Sequence, residues 1–142
     1  MEGSRNLTAL VGRLLLVVIF VLSGFGKLTN PSRTAGLMEH TGGIPHAIVY
    51  PALAVTILIE FGGSLLVVLG YKARWAALLI FLWMIPVTML FHFLPWREAA
   101  AHGNATVAMA QWGNFMKNVS VMGGLLMVAS FGSGAWSIDG GK

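Results

Sequence analysis

Four apolar runs, Leu7 to Leu28, Ala47 to Leu69, Trp75 to Leu94 and Phe115 to Trp136, alternate with short polar stretches along the chain. Each is about 20 residues long, the length at which a helix crosses a hydrocarbon core of roughly 30 Å. The pattern predicts an all-α fold, an integral membrane four-helix transmembrane bundle, as a single membrane domain over residues 1–142. The connections are well punctuated. "LTNPSRTAGLMEHTGGIPHA" joins the first two runs, with Asn30-Pro31 and Gly42-Gly43 as breakers and a short amphipathic turn expected over Thr34 to His40. "GYKARW" is a tight turn, and "PWREAAAHGNATVAMAQWGN" has room for a short interfacial helix before the fourth run.

Within the runs, small and bulky residues predict how the helices meet. Arg13, Val17, Phe20, Gly24 and Lys27 fall at i, i+4, i+7, i+11 and i+14, one face of the first helix, which is expected to look into the bundle. Gly62-Gly63, Gly123-Gly124 and Ser120 are expected to let backbones approach closely, a main source of helix association in lipid. Pro86 is expected to kink the third helix, with Thr88 satisfying a freed carbonyl. Trp75, Trp96, Trp112 and Trp136 bracket the last two spans as interfacial belts, whereas Trp83 sits inside.

Polar residues inside these spans carry the chemistry. Glu60 lies in the middle of "TILIEFGGSLLVVLG", where an ionised carboxylate costs several kcal/mol unless it is paired, protonated or hydrated. Arg13 is the partner expected from helix depth. The pair reads either as a buried salt bridge fixing helix register or as a proton-exchanging or ligand-binding group; Glu60 protonated, or reaching a partner subunit, stays open beside these. A second set, Lys27, His92, Asn114, Lys117 and Asn118, gathers at the opposite membrane face and is suited to polarising a carbonyl, holding an anionic headgroup or passing protons to a quinone. Snorkelling lysines, helix-capping asparagines and an interfacial histidine are the bland alternative. His40, His46, His92 and His102 show no zinc spacing, so haem and metal are disfavoured; quinone is the cofactor left open.

Composition narrows the class further. With 56% hydrophobic and 10% charged residues, the chain has too few polar side chains to cover a soluble domain. The net charge of +4 is spread singly around helix ends, which fits lipid headgroups and argues against nucleic acid. The absence of cysteine excludes a disulfide scaffold, a thiol relay within the chain, a cysteine-bound iron–sulfur cluster and covalent haem. "FVLSGFGKLTNP" lacks an A-x-A cleavage pattern, so the first run is expected to be a retained helix. Arg5, Arg13, Lys72, Arg74 and Lys142 lie on the face shared by the termini (side A), against Lys27, Arg33, Arg97 and Lys117 on the other (side B). This margin of one leans toward cytoplasmic termini.

The stretches "GRLLLVVIFVLSGFGKLTNP", "IEFGGSLLVVLGYKARWAALLIFLWM", the "FH" ending the third span and "NFMKNVSVMGGLLMVASFGSGAWSID", in this order and spacing, resemble the DoxX family of small bacterial membrane proteins over nearly the whole chain. The resemblance implies a compact four-helix bundle of the bacterial inner membrane, associated with quinone-linked or thiol-linked redox complexes. Carried over by position, the family-like polar residues are Arg13 in "GRLLL", Ser23-Gly24 and Lys27 in "SGFGKL", Glu60 in "EFGG", His92, and Asn118 in "KN". The expected function is that of a membrane subunit, not catalytic alone, of such an oxidoreductase complex, with an intramembrane polar pocket and a protein partner or second copy. A scaffold or assembly factor for a partner protein is the alternative.

Overall fold

The computed structural model of the chain describes residues 2–140, which hold helices and no strand. Lys142, counted above among the charges of side A, lies outside the described residues. In chain order the elements are α1 (Glu2–Thr29), α2 (Pro31–His40), α3 (His46–Ile57), α4 (Gly63–Leu69), α5 (Ala73–Thr88), α6 (Leu94–Ala101) and α7 (Ala105–Phe131). A π-helical turn, Leu58–Gly62, joins α3 to α4, and a second, Met89–Phe93, joins α5 to α6. The described residues therefore form four long rods, numbered in chain order α1, His46–Leu69, Ala73–Ala101 and α7, with a fifth, short helix, α2, between the first and the second. Among the described residues, three of them, α1, His46–Leu69 and Ala73–Ala101, are long and apolar enough to cross a membrane.

The rod ends follow from local chemistry. Asn30 caps α2 by accepting from the Arg33 backbone N–H at 3.3 Å, with Pro31 at the first helical position where its missing N–H costs nothing. Asn104 caps α7 in the same way through Val107 at 3.2 Å. Gly70 ends α4 in the left-handed region at φ 66°, and the turn continues through Lys72 at φ 47°. That strained lysine is held by its backbone N–H, which donates to the Asp139 carboxylate. α7 stops where Gly132 takes φ 82°.

Burial follows the expected stripe. The buried residues of α1 are Arg13, Val17, Phe20 and Gly24. Val17 and Phe20 join Val67, Ala77, Ile80, Met84 and Leu125 in the central core. A smaller core of Ala35, Met38, Val49 and Leu53 seats α2 on α3. Large apolar side chains such as Leu15, Leu58, Trp75 and Phe131 point outward instead, as they do on a surface bathed in lipid.

Several expectations need correction. The segment Thr34 to His40 belongs to a ten-residue helix that begins at Pro31. The third rod runs on through "LPWREAAA", so the interfacial helix extends the preceding span. The last helix begins at Ala105, not near Phe115, and ends at Phe131, which leaves Trp136 beyond it. Its Asn114, Lys117 and Asn118 keep it out of the apolar set. Of each glycine pair only the second is packed. A β-carbon on Gly63 would meet Ile80 at 2.9 Å and one on Gly124 would meet Leu16 at 2.7 Å, whereas Gly62 and Gly123 face open space. Pro86 is followed by the π turn Met89–Phe93, the adjustment by which a helix absorbs a proline's missing N–H and ring. The Thr88 hydroxyl oxygen, expected to serve that backbone, accepts from Asn118 Nδ2 at 3.0 Å.

Candidate functional site

Because the second rod runs antiparallel to α1, Glu60 comes level with the side B half of α1. The π turn that carries it packs Phe61 against Gly24, where a β-carbon would lie 3.1 Å from that of Phe61. Glu60 Oε2 accepts from Lys27 Nζ at 2.6 Å and from Ser23 Oγ at 3.1 Å, and Lys27 also donates to Ser23 Oγ. Ser23 and Lys27 stand one helical turn apart, so one face of α1 supplies both partners. The side chains of Lys27 and Glu60 are only 16% and 9% exposed.

The expected Arg13–Glu60 pair is therefore not formed. Ten residues of helix, about 15 Å, separate Arg13 from the level of Ser23, more than two side chains bridge. Arg13 instead closes the far end of the second rod. Its Nη1 donates to the Val68 carbonyl at 2.9 Å and the Val67 carbonyl at 3.2 Å, and its Nη2 donates to the Trp136 carbonyl at 2.5 Å. Carbonyls in the last turn of a helix lack intrahelical donors, and a guanidinium fork supplies several at once. Gly70 makes room for it, since a β-carbon there would sit 2.7 Å from Arg13 Nη1. The C-terminal segment docks on the same turn through Ile138 N–H to the Leu69 carbonyl at 3.0 Å and Asp139 N–H to the Gly70 carbonyl at 3.1 Å.

The Lys27–Glu60 pair stands where two cavities meet. The larger, about 500 Å³, lies between α1, α5 and α7 and is lined on its polar side by Ser23, Lys27, Glu60, Lys117 and Asn118. The second, about 290 Å³, lies beneath α2 among Leu37, Met38, Ala52, Pro86, Leu90 and Phe91 and is almost wholly apolar. Lys27, Glu60, Trp83 and Val87 line both. The Nε1 of Trp83, a residue of that shared wall, is buried and makes no hydrogen bond.

Of the residues singled out from the sequence, Lys27, Glu60, Lys117 and Asn118 come together around the larger cavity. Asn114 stands beside them and accepts from Lys117 Nζ at 3.0 Å. His92 lies apart: its Nδ1 is 2.9 Å from Gln111 Oε1, a bond across α7 that leaves it off both cavity walls. Arg13 is at the opposite end. Sequence reasoning missed Gln111 and the apolar chamber under α2. The signal for the chamber was present in Trp83, the one tryptophan placed inside a span, but the lid that encloses its neighbourhood depends on a helix read as a turn. Among the described residues no three of His, Asp or Glu gather closely enough to hold a metal ion.

Chemically, the arrangement offers one ammonium already shared by a carboxylate and a hydroxyl, a second ammonium on the facing helix, an amide and an indole N–H. Such a wall can hold an oxygen-bearing headgroup by hydrogen bonds and exchange a proton with it, while the chamber beside it takes hydrocarbon.

Comparison with known proteins places this geometry in context. The DoxX family model matches residues 8–93, and the SURF4 family model matches residues 52–142. The inner membrane protein YqjF of Escherichia coli (strain K12) is 33% identical over 139 residues, covering 98% of this chain and 95% of that protein. The inner membrane protein YphA of the same organism is 29% identical over 137 residues, covering 96% and 91%. No solved structure matches the chain significantly.

Proposed function

The chain belongs to the DoxX family and is an integral membrane protein; from that premise we propose that it serves as a membrane subunit of a quinone-linked oxidoreductase complex in a bacterial inner membrane. In this reading α7 crosses the bilayer with the three more apolar rods, giving a four-helix transmembrane bundle that forms one membrane domain. The complex binds the oxygen-bearing head of a quinone-like amphiphile in the larger cavity and its tail in the chamber under α2. The observation that carries the reading is the partly buried Ser23–Lys27–Glu60 cluster at the junction of a polar cavity and an apolar one. An ion pair with no ligand beside it fixes two helices; an ion pair that forms the wall between two unlike cavities is placed to meet an amphiphile. Lys27, Trp83 and Asn118 are its donors, Glu60 its proton-exchanging group and Lys117 a second positive charge at the mouth. The names of the two relatives place those proteins in the inner membrane, and their coverage of nearly the whole chain supports the same address here. The chain has no cysteine, so any thiol chemistry of the complex resides on a partner.

The test is gentle purification from native membranes with extraction of bound lipids and quinones. Stoichiometric quinone in the wild type is expected, reduced about tenfold or more in Glu60→Gln and Asn118→Leu, as loss of one charge-assisted or buried hydrogen bond implies. His92→Ala, off the cavity walls, is expected to keep the wild-type content. Equal quinone in all four proteins would overturn the reading, and a copurifying protein without any small molecule would favour the scaffold.

A further inference from the structure

A second polar site lies at the other end of the bundle, between the first and last helices. α1 and α7 touch sparingly, and the groove left between them, about 410 Å³, has a floor of small residues, Ala9, Gly12, Gly124 and Gly132, and walls of Leu16, Met127 and Phe131. Two nearly fully buried polar side chains line it. Arg13 is 3% exposed and its Nε makes no hydrogen bond; Ser133 is 2% exposed and its Oγ makes none. All the bonds of the guanidinium go to backbone carbonyls, and the ion pairs among the described residues are formed elsewhere, by Lys27 with Glu60 and by His46 with Glu39. Among the described residues the positive charge therefore has no acidic partner. At Ala9 the groove adjoins a second one whose lining carries Arg5 and Asn6 with a single carboxylate, Glu2, so the combined lining stays net positive.

We infer that this groove binds an anionic phospholipid, with the phosphate toward Arg13 Nε and Ser133 Oγ and an acyl chain along Leu16 and Met127. Three observations select a lipid over other occupants. Arg13 is tied to the last turn of the second rod and to Trp136, which is half exposed at that level; this is the end of a membrane-spanning rod, where lipid phosphates lie. The apolar part of the groove runs from Ala9 to Leu16, about 10 Å along α1, long enough for the upper part of an acyl chain but about a third of what a crossing helix needs. The donors left without a partner, an N–H and an O–H, belong to two residues that line the same groove, and both are groups that an anionic oxygen accepts from. A buried arginine without an acidic partner is costly in a membrane, and a lipid phosphate supplies the missing charge.

The site is separate from the quinone cavity, so the two readings fail independently. The experiment is native mass spectrometry of the full chain released from vesicles of phosphatidylcholine containing a minority of phosphatidylglycerol. The wild type is expected to retain phosphatidylglycerol in preference to phosphatidylcholine, by about tenfold for one charge-assisted contact. Gly12 lines the groove and a β-carbon there finds nothing within 4 Å, so Gly12→Leu adds bulk to the groove from a position with room for its first carbon. It is expected to abolish the preference while leaving bound quinone unchanged and thermal stability no lower than the wild type's, and Ser133→Ala is expected to weaken the preference partially. Equal retention of the two lipids by the wild type, or an undiminished preference in Gly12→Leu, would overturn the inference. So would a wild-type dimer that Gly12→Leu dissociates without a change in lipid, because the groove would then be an interface between copies.

Discussion

Arg13 and Lys27 lie on the same face of α1 and both are largely withdrawn from solvent, yet they do opposite work. Arg13 spends its donors on three backbone carbonyls, groups that neither titrate nor move, and so pins the Gly70 turn and the C-terminal segment to α1. Lys27 is bonded to a carboxylate and a hydroxyl, both on side chains, both at a cavity wall. The difference matches the two cations. A planar fork of five donors suits a fixed array of acceptors, and a compact ammonium on a flexible stem suits a partner that must exchange. At one end of the bundle the cation is thus fixed as a clamp that leaves only its Nε over, and at the other the cation stands at a cavity wall.

The largest effect should come from breaking the clamp. Arg13→Leu takes the donor from the Val68 carbonyl at the end of α4 and from the Trp136 carbonyl, while Val67 keeps the Gly70 N–H, and is expected to destabilise the fold by about 2–5 kcal/mol, at 1–3 kcal/mol for each group that loses its donor. Unfolding in a denaturing detergent checks this. Arg13→Lys should recover less than half of the loss, because one ammonium cannot span α4 and Trp136 together. Recovery to the wild-type level would mean that charge, not the fork, is what the position needs.

Breaking the other cation should cost less and be repairable. Lys27→Met leaves Glu60 without its ion-pair partner, but Ser23 still donates to it. The expected loss is about 2 kcal/mol, below the 3–5 kcal/mol typical of a stranded buried charge. Adding Glu60→Leu should restore most of the stability, since a packed apolar pair often replaces a buried ion pair at no cost, while bound quinone stays absent. A double variant that is stable and still holds quinone would show that the pair serves only the fold, and the contrast with Arg13 would disappear.

Much of this contrast was legible in the sequence. The stripe from Arg13 to Lys27 is the buried face of α1, and the placement of Glu60 in an apolar run required a partner on it. Which cation would answer was not legible. Both were on the right face, and the choice turned on helix level, set by the packing of Phe61 on Gly24 and by where α4 ends. The sequence also marks Gly70 as a stop without saying that its last carbonyls would need Arg13. The limits of α7 were misjudged for a related reason: the apolar run starts near Phe115, but Asn104 caps the helix well before it and Gly132 ends it before Trp136. Composition locates the hydrocarbon and capping residues locate the helix, and in this span the two disagree. The chamber under α2 depends on Asn30 and Pro31 starting a ten-residue helix in a stretch expected to hold only a short amphipathic turn.

The smallest test concerns two glycines on α1, each beside one of the two regions. Gly12 adjoins Arg13, and a β-carbon there would meet nothing; Gly24 faces Phe61, and a β-carbon would come within 3.1 Å of that of Phe61. Gly12→Ala should therefore stabilise α1 by about 0.5–1 kcal/mol, the usual helix-interior difference between the two residues. Gly24→Ala carries the same intrinsic gain but must push a side chain at its root, where it cannot rotate away, and that root belongs to the π turn holding Glu60. The gain and the displacement should nearly cancel in stability, within about 0.5 kcal/mol. Quinone content is the more sensitive readout for Gly24→Ala, because shifting Phe61 by a few tenths of an ångström moves Glu60 against Lys27. A fall in bound quinone at unchanged stability would show that the close approach of α1 to the π turn exists to set the ion pair at the cavity wall. An unchanged quinone content would mean that the pair tolerates displacement, and the site end would then be held no more tightly than its chemistry requires.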